Sequence, residues 1–164
     1  MESQALAIAS WGKNVNVKIP ITNTRGEFSG PLLRRLSRQG VALNVTAIMT
    51  VDQVRRTIDS LGGSSPAFIS VFAGRIADTG VDPLPIMQES LRLLKTRANT
   101  ELIWASPREL LNIFQADDIG CDVITVTSDI LGKLNGVGKD LDEFSLDTVK
   151  MFRNDAVKAG FEIR

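Results

Sequence analysis

No histidine and no tyrosine occur among the 164 residues, and cysteine occurs once, as Cys121. Without His, a Ser-His-Asp triad and a His-ligated metal centre are both excluded. A single Cys excludes an internal disulfide and any multi-cysteine zinc site, and it fits a reducing, cytoplasmic compartment. Neither sign of charge is in excess, with 19 basic side chains against 19 acidic ones. No global field is therefore available to hold a nucleic-acid backbone or an anionic membrane. No run reaches the ~18 apolar residues of a membrane span. The opening stretch MESQALAIASWGKN carries Glu2 and no long apolar core, so it does not read as a signal peptide. What is present is ordinary: 43% apolar and 23% charged residues, the balance of a soluble globular protein. The length suits one domain, 1–164, of the usual ~100–200 residues.

Five short runs rich in Val, Ile and Leu recur at even spacing, at 14–19, 42–48, 67–73, 101–105 and 122–127, and read as strands. Between them lie segments with helical periodicity. Leu32, Leu33 and Leu36 share one face of the first; Val51, Val54 and Ile58 of the second; Ile86, Leu91 and Leu94 of the third; Leu110, Leu111 and Phe114 of the fourth. Thr50 with Gln53, and Ser106 with Glu109, have capping-box spacing, and Pro107 would occupy a first helical position. Gly40, Gly62–Gly63 and Gly120 follow as stop signals. A loop at 132–138 precedes a final helix at about 145–159, and Met1–Lys13 reads as a helix ahead of the first strand.

Strand and helix alternating at about thirty residues a unit describe β-α-β units and a parallel sheet. Such a sheet could be flavodoxin-like or part of an eight-fold β/α barrel. Open doubly wound sheets have nearly uniform apolar strands. Here Val15, Val17 and Ile19 alternate with Asn14, Asn16 and Lys18. Leu43, Val45 and Ala47 likewise oppose Asn44, Thr46 and Ile48, while Phe68, Ser70 and Phe72 share a side of the third strand. One greasy face and one face with small polar groups favour a barrel, in which helices cover the outside. A complete barrel takes ~250 residues, so either the chain is a partial (β/α)8 barrel of about five parallel strands, the expectation carried forward, or the sheet is open after all.

Lys18, mid-strand in VNVKIP, is the most informative residue. One reading is a Schiff-base lysine, a partly buried amine made nucleophilic by desolvation and able to attack a ketone. On spacing alone, a solvated lysine on an edge strand is the commoner case. The wider pattern separates the two. VKIPITNTRGE, LNVTAIMT, SVFAGRIADTG, WASPREL and DVITVTSDIL, in that order, resemble successive strands of the transaldolases. They are closest to the small bacterial subgroup that includes fructose-6-phosphate aldolase. The resemblance runs from about Asn14 to the C-terminus.

The resemblance implies a role for each matching residue. Lys18 matches the lysine that forms the Schiff base, Asn44 a substrate contact, and Thr46 a residue that helps hold a catalytic water. Ser70 and Phe72 match pocket residues. Arg75 matches the arginine that binds the sugar phosphate, assisted by Ser106 and Arg108. The aldolases carry Tyr where Phe72 stands, so a chain without Tyr leans toward transaldolase. The family implies no metal or organic cofactor, sugar-phosphate substrates and a place in the pentose phosphate pathway, while the open sheet edges and uncovered apolar face of a partial barrel predict a homo-oligomer.

Blander explanations stand beside these. Asn44 and Thr46 could be satisfied polar groups at a sheet end, and either Arg alone a surface charge. Ser106 could be a helix N-cap, which is compatible with a phosphate site at a helix N-terminus. The stretch GKLNGVGK at 132–139 resembles a phosphate loop, but its spacing is wrong, Asp140 replaces the Ser/Thr, and no strand precedes it. Asp140, Asp142 and Glu143 read as a solvated turn, and Thr127 with Ser128 as the cap of the helix after the last strand. The match begins three strands into the family's barrel, so the strands that supply the acid/base Asp have no counterpart in 1–13. The expectation is therefore the C-terminal part of a transaldolase barrel, with a silent, self-associating fragment or a fructose-6-phosphate aldolase as alternatives.

Overall fold

The computed structural model describes residues 1–160. Five parallel strands form one sheet: β1 (Val17–Pro20), β2 (Leu43–Ile48), β3 (Ala67–Val71), β4 (Thr100–Trp104) and β5 (Val123–Ile124). They lie in sequential order, β1-β2-β3-β4-β5. The connecting helices are α1 (Glu2–Ala9), α2 (Gly30–Arg38), α3 (Val51–Ser60), α4 (Ala73–Ala77), α5 (Leu84–Leu94), α6 (Leu111–Asp118), α7 (Ser128–Gly132) and α8 (Leu141–Lys158). A sheet whose strand order never reverses, joined by right-handed crossovers, carries its helices on one face only. That is the topology of a barrel segment, and it lacks the switch point of a doubly wound sheet.

Burial follows from that single helix layer. Val17, Ile19, Leu43, Val45, Ile69 and Leu102 turn toward the helices and are 0–4% exposed. Their partners across the layer are Leu33 and Leu36 of α2, Val54 of α3 and Met87 of α5, each 0% exposed. Ser37 shows how the layer is tied down. Its hydroxyl donates to the Leu33 carbonyl and accepts from Gly62 N–H, at 2.7 and 2.8 Å. The Thr50–Gln53 capping box forms as the spacing predicts, with both reciprocal bonds present at the start of α3. Gly40, Gly63 and Gly120 take φ of +84°, +67° and +72°, the left-handed backbone for which a helix stop uses glycine.

Several expectations are corrected. Ala47 has φ +62° and the β2–β3 register shifts between Val45 and Ile48. That bulge flips the alternation, so Ile48 is fully buried instead of sharing the face of Asn44 and Thr46. The helical periodicity at Leu110, Leu111 and Phe114 falls largely outside the core: Leu111 and Phe114 are 54% and 39% exposed, and α6 contributes Ala116 to the core instead. The last helix starts at Leu141, earlier than expected. Asp140 is its N-cap, accepting from the N–H groups of Asp142 and Glu143 at 2.9 and 3.0 Å, so these acids open a helix and do not form a free turn. Thr127 stands at the N-cap position of α7 without a side-chain cap bond. Residues 133–136 form a short 3-10 helix behind α7, not a strand-to-helix phosphate loop.

Candidate functional site

The face of the sheet opposite the helices gathers the polar strand residues. Register pairs Lys18 with Asn44, Asn44 with Phe68 and Phe68 with Glu101, one row across four strands. Pro20 pairs with Thr46, one pleat nearer the carboxyl ends. Adjacent strands stand ~4.8 Å apart, so Lys18 and Asn44 are immediate neighbours on this face. Ser70, 2% exposed, donates its hydroxyl to Asn44 Oδ1 at 2.7 Å. That bond commits the Asn44 oxygen and leaves the amide nitrogen to donate. Thr46 Oγ1 is buried without a partner among the described residues. A buried orphan hydroxyl is costly unless a water or ligand completes it, and a polar atom in this position can hold one.

Lys18 itself is exposed. The partly buried amine expected from sequence is not produced by these five strands, for a plain reason. β1 is the first strand in the sheet order and pairs on one side only, with β2, and Lys18 borders a small cavity shared with Gln4, Ala5 and Ile8 of α1.

A second group stands at the carboxyl ends of β3 and β4. Phe72, half-buried, directly follows β3 and caps the short helix α4 by position. The Arg75 guanidinium lies 5.6 Å from the Phe72 ring centroid, a cation–π distance that orients the exposed side chain. Gly74 donates its N–H to the Ala105 carbonyl at 3.3 Å. A Cβ on Gly74 would sit 1.5 Å from the Ser106 carbonyl oxygen, so the loop after β4 crosses directly over the bare Gly74 backbone. Ser106 adopts φ +58° in that crossing.

The helix N-cap expected at Ser106 is therefore absent. α6 begins at Leu111, and Asn112 Oδ1 instead accepts from the Arg108 and Glu109 N–H groups, at 2.8 and 3.2 Å. Arg108 Nε bonds Asp78 Oδ1 at 3.0 Å, and its Nη2 pairs with Oδ2 of the same carboxylate.

The candidate residues thus fall into two neighbouring groups. Lys18, Asn44, Thr46 and Ser70 lie on the sheet face; Phe72, Arg75, Ser106 and Arg108 lie on the rim at the carboxyl ends of the strands. Sequence reasoning missed two residues here. Gly74 was signalled by a glycine just past the apolar run 67–73, and Asp78 by its i+3 spacing from Arg75. A surface cavity of about 500 Å³ lies elsewhere between α2 and α3, lined by Phe28, Gly30, Pro31, Arg34, Arg35 and Ser60, and it holds none of the candidates. Among the described residues no helix is long and apolar enough to cross a membrane.

Comparison with known proteins bears on this arrangement. A family model described as Transaldolase/Fructose-6-phosphate aldolase matches residues 1–163. A probable transaldolase of Dehalococcoides mccartyi is 35% identical over 132 residues, covering 80% of this chain and 57% of its own. A probable transaldolase of Methanococcus maripaludis is 29% identical over 156 residues, covering 90% and 69%. One from Streptococcus equi subsp. zooepidemicus is 30% identical over 135 residues, covering 82% and 59%. The chain spans roughly three fifths of the length of these relatives. Sequential β/α units with polar groups on the helix-free face agree with the family match, and the chain belongs to the transaldolase/fructose-6-phosphate aldolase family.

Proposed function

We propose that this chain carries the lysine half of a transaldolase active site and acts on ketose phosphates through a Schiff base at Lys18. The observation that carries the reading is the helix-free face, where Lys18 adjoins Asn44, Asn44 is held by Ser70, and Thr46 keeps an unpartnered buried hydroxyl. The neutral Lys18 amine adds to the C2 carbonyl, and loss of water gives an iminium. Breaking C3–C4 sends its electron pair into the iminium, forming an enamine. A base accepts the C4 hydroxyl proton as the aldose leaves. The enamine carbon then attacks a second aldehyde, and hydrolysis of the new iminium frees Lys18. Asn44 is placed to donate to a substrate hydroxyl, Thr46 to hold the water that enters and leaves, and Arg75, Ser106 and Arg108 to take the phosphate. No described side chain on the face of Lys18 is assigned as the base. Its absence alone costs on the order of 10²–10⁴ in rate, so condensation is the step to measure.

Borohydride reduction with fructose 6-phosphate should fix either the intact ketose or its three-carbon dihydroxyacetone remnant on Lys18, read by peptide mass, with Lys18→Met unmodified. A folded sample that leaves Lys18 free at saturating sugar refutes the proposal. The fructose-6-phosphate aldolase alternative turns on Phe72: Phe72→Tyr should raise release of free dihydroxyacetone, and an unchanged product ratio sets that alternative aside.

Self-association is the second reading, and a separate observation favours it. Every residue of α8 except Thr148 is exposed, including Phe144 at 57% and Phe152 at 63%. Met151, Phe144, Leu141, Phe152 and Val149 fall along one stripe of that helix, as helical periodicity places them. With acidic Asp142, Glu143, Asp147 and Asp155 offsetting Lys150, Arg153 and Lys158, the helix is not basic enough to favour an anionic membrane. A second copy of the chain is the occupant we assign to it. Light scattering should give a dimer or larger assembly that Phe144→Glu with Phe152→Glu converts to monomer; a wild-type monomer overturns this.

A further inference from the structure

Asp78 has no role in the chemistry above, and its contacts are not accounted for by stability. The Asp78–Arg108 pair is half exposed, with side-chain exposures of 52% and 48%, and open ion pairs of this kind contribute ~0–1 kcal/mol. The geometry is nonetheless specific. Both carboxylate oxygens are engaged, by Nε and Nη2 of one guanidinium, and a two-point contact fixes the plane and direction of an arginine fork. Asp78 is the C-cap of α4, three residues beyond Arg75, and residues three apart share one flank of a helical turn. Arg108 arrives from a different loop and crosses Gly74, its Nε 3.2 Å from where a Gly74 Cβ would stand. Room made by Gly74 and direction set by Asp78 thus bring a second guanidinium to α4, the short helix that carries Arg75. The carboxylate uses only the Nε–Nη2 edge, leaving Nη1 and its two donors unassigned among the described residues.

We propose that Asp78 is a positioning residue, which aims Arg108 beside Arg75 so that the two guanidiniums together bind the phosphate of a phosphorylated sugar. The inference rests on the preceding reading of Arg75 and Arg108 as the anion-binding end. Its test separates the two. Half-saturation of borohydride trapping at Lys18 is measured with fructose 6-phosphate and with fructose, in wild type, Asp78→Ala and Asp78→Glu, each checked by circular dichroism and melting temperature.

Asp78→Ala should raise half-saturation for fructose 6-phosphate about tenfold, the scale of one charge-assisted hydrogen bond. Fructose, and the trapping rate at saturation, should be unchanged. Asp78→Glu, which keeps the carboxylate, should recover most of the loss, and inorganic phosphate should protect wild type at lower concentration than Asp78→Ala. Equal shifts with both sugars, or no shift with the phosphorylated one, overturn the role of Asp78 while leaving Lys18 chemistry standing, and so does failure of Glu to rescue. Trapping of fructose with no gain from the phosphate overturns the anion reading itself. No trapping with either sugar in wild type overturns both.

Discussion

Replacing Gly74 by Ala tests the architecture of the rim directly, because the contact it would create is with backbone. The new Cβ would stand 1.5 Å from the Ser106 carbonyl oxygen and 2.7 Å from the Ser106 carbonyl carbon. Ordinary contact for a Cβ begins at 3.4 Å, so the loop after β4 would have to retreat by about 2 Å. No side-chain rotation can relieve this. The retreat would stretch the Gly74 N–H bond to the Ala105 carbonyl, already 3.3 Å, and would carry Ser106 and Arg108 away from α4. Overpacking in a well-filled site costs ~1–3 kcal/mol, and an unyielding backbone clash belongs at the top of that range. For a chain of this size each kcal/mol lowers Tm by ~2–4 °C, so Gly74→Ala should melt ~6–12 °C below wild type.

Differential scanning calorimetry measures the loss, and Gly132→Ala supplies the control. Gly132 has φ −58° and ψ −24°, and a Cβ there meets nothing within 4 Å. The same chemical change should therefore be neutral or stabilise by ~0.4–1 kcal/mol through the unfolded chain. If Gly74→Ala melts with the wild type, the loop does not lie over α4 as described. The placement of Ser106 and Arg108 beside Arg75 then fails with it.

Thr50→Ala removes the hydroxyl half of the capping box of α3, and urea titration should show a loss of ~1 kcal/mol. Cys121 is half-buried, and burial pushes its thiol up; reaction with a disulfide reagent near neutral pH should be slow in the native protein and fast in urea, and equal rates would contradict that burial. The Arg35 guanidinium, bonded to Glu2 at 2.8–3.1 Å, holds the Glu2 carboxyl below the usual carboxylate range. A carboxyl lowered in the folded state stabilises at pH above its unfolded value, and that contribution is lost as pH falls through the lowered one. Hydrogen exchange should therefore show α1 losing protection on acidification before α3 does, and uniform loss across both helices would contradict the link.

Two stretches with the same local signature show what sequence can and cannot specify. T-V-D-Q at Thr50 and S-P-R-E at Ser106 both have capping-box spacing. The first forms the box, because its only competitor for the orphan N–H groups is water. The second does not, because Ser106 is drawn into φ +58° by the close crossing over Gly74, and Asn112 takes over the acceptor role six residues on. Local chemistry was legible wherever no distant backbone competed for the same atoms. The five strands, their parallel order and the core leucines of α2 were legible for the same reason: a period of two or of 3.6 names the face of an element without reference to the rest of the chain.

Periodicity also names a face without saying what covers it. Leu110, Leu111 and Phe114 share one helical face by spacing, yet Leu111 and Phe114 are 54% and 39% exposed. Lys18 follows the same logic in reverse. Alternation put it on the polar face of β1, and register puts Asn44 beside it, yet the dryness that would make the amine nucleophilic is a property of a closed cylinder, not of one strand. An eight-fold barrel shields its interior with strands on every side, and here β1 ends the sheet. Order of motifs singled out Lys18, because the family resemblance is carried by which residues follow one another from strand to strand; shielding was not legible, because it belongs to whatever lies against the edge of β1. Supplying that cover should change Lys18 reactivity far more than any substitution at Asn44, Thr46 or Ser70, since removing water acts on the amine itself.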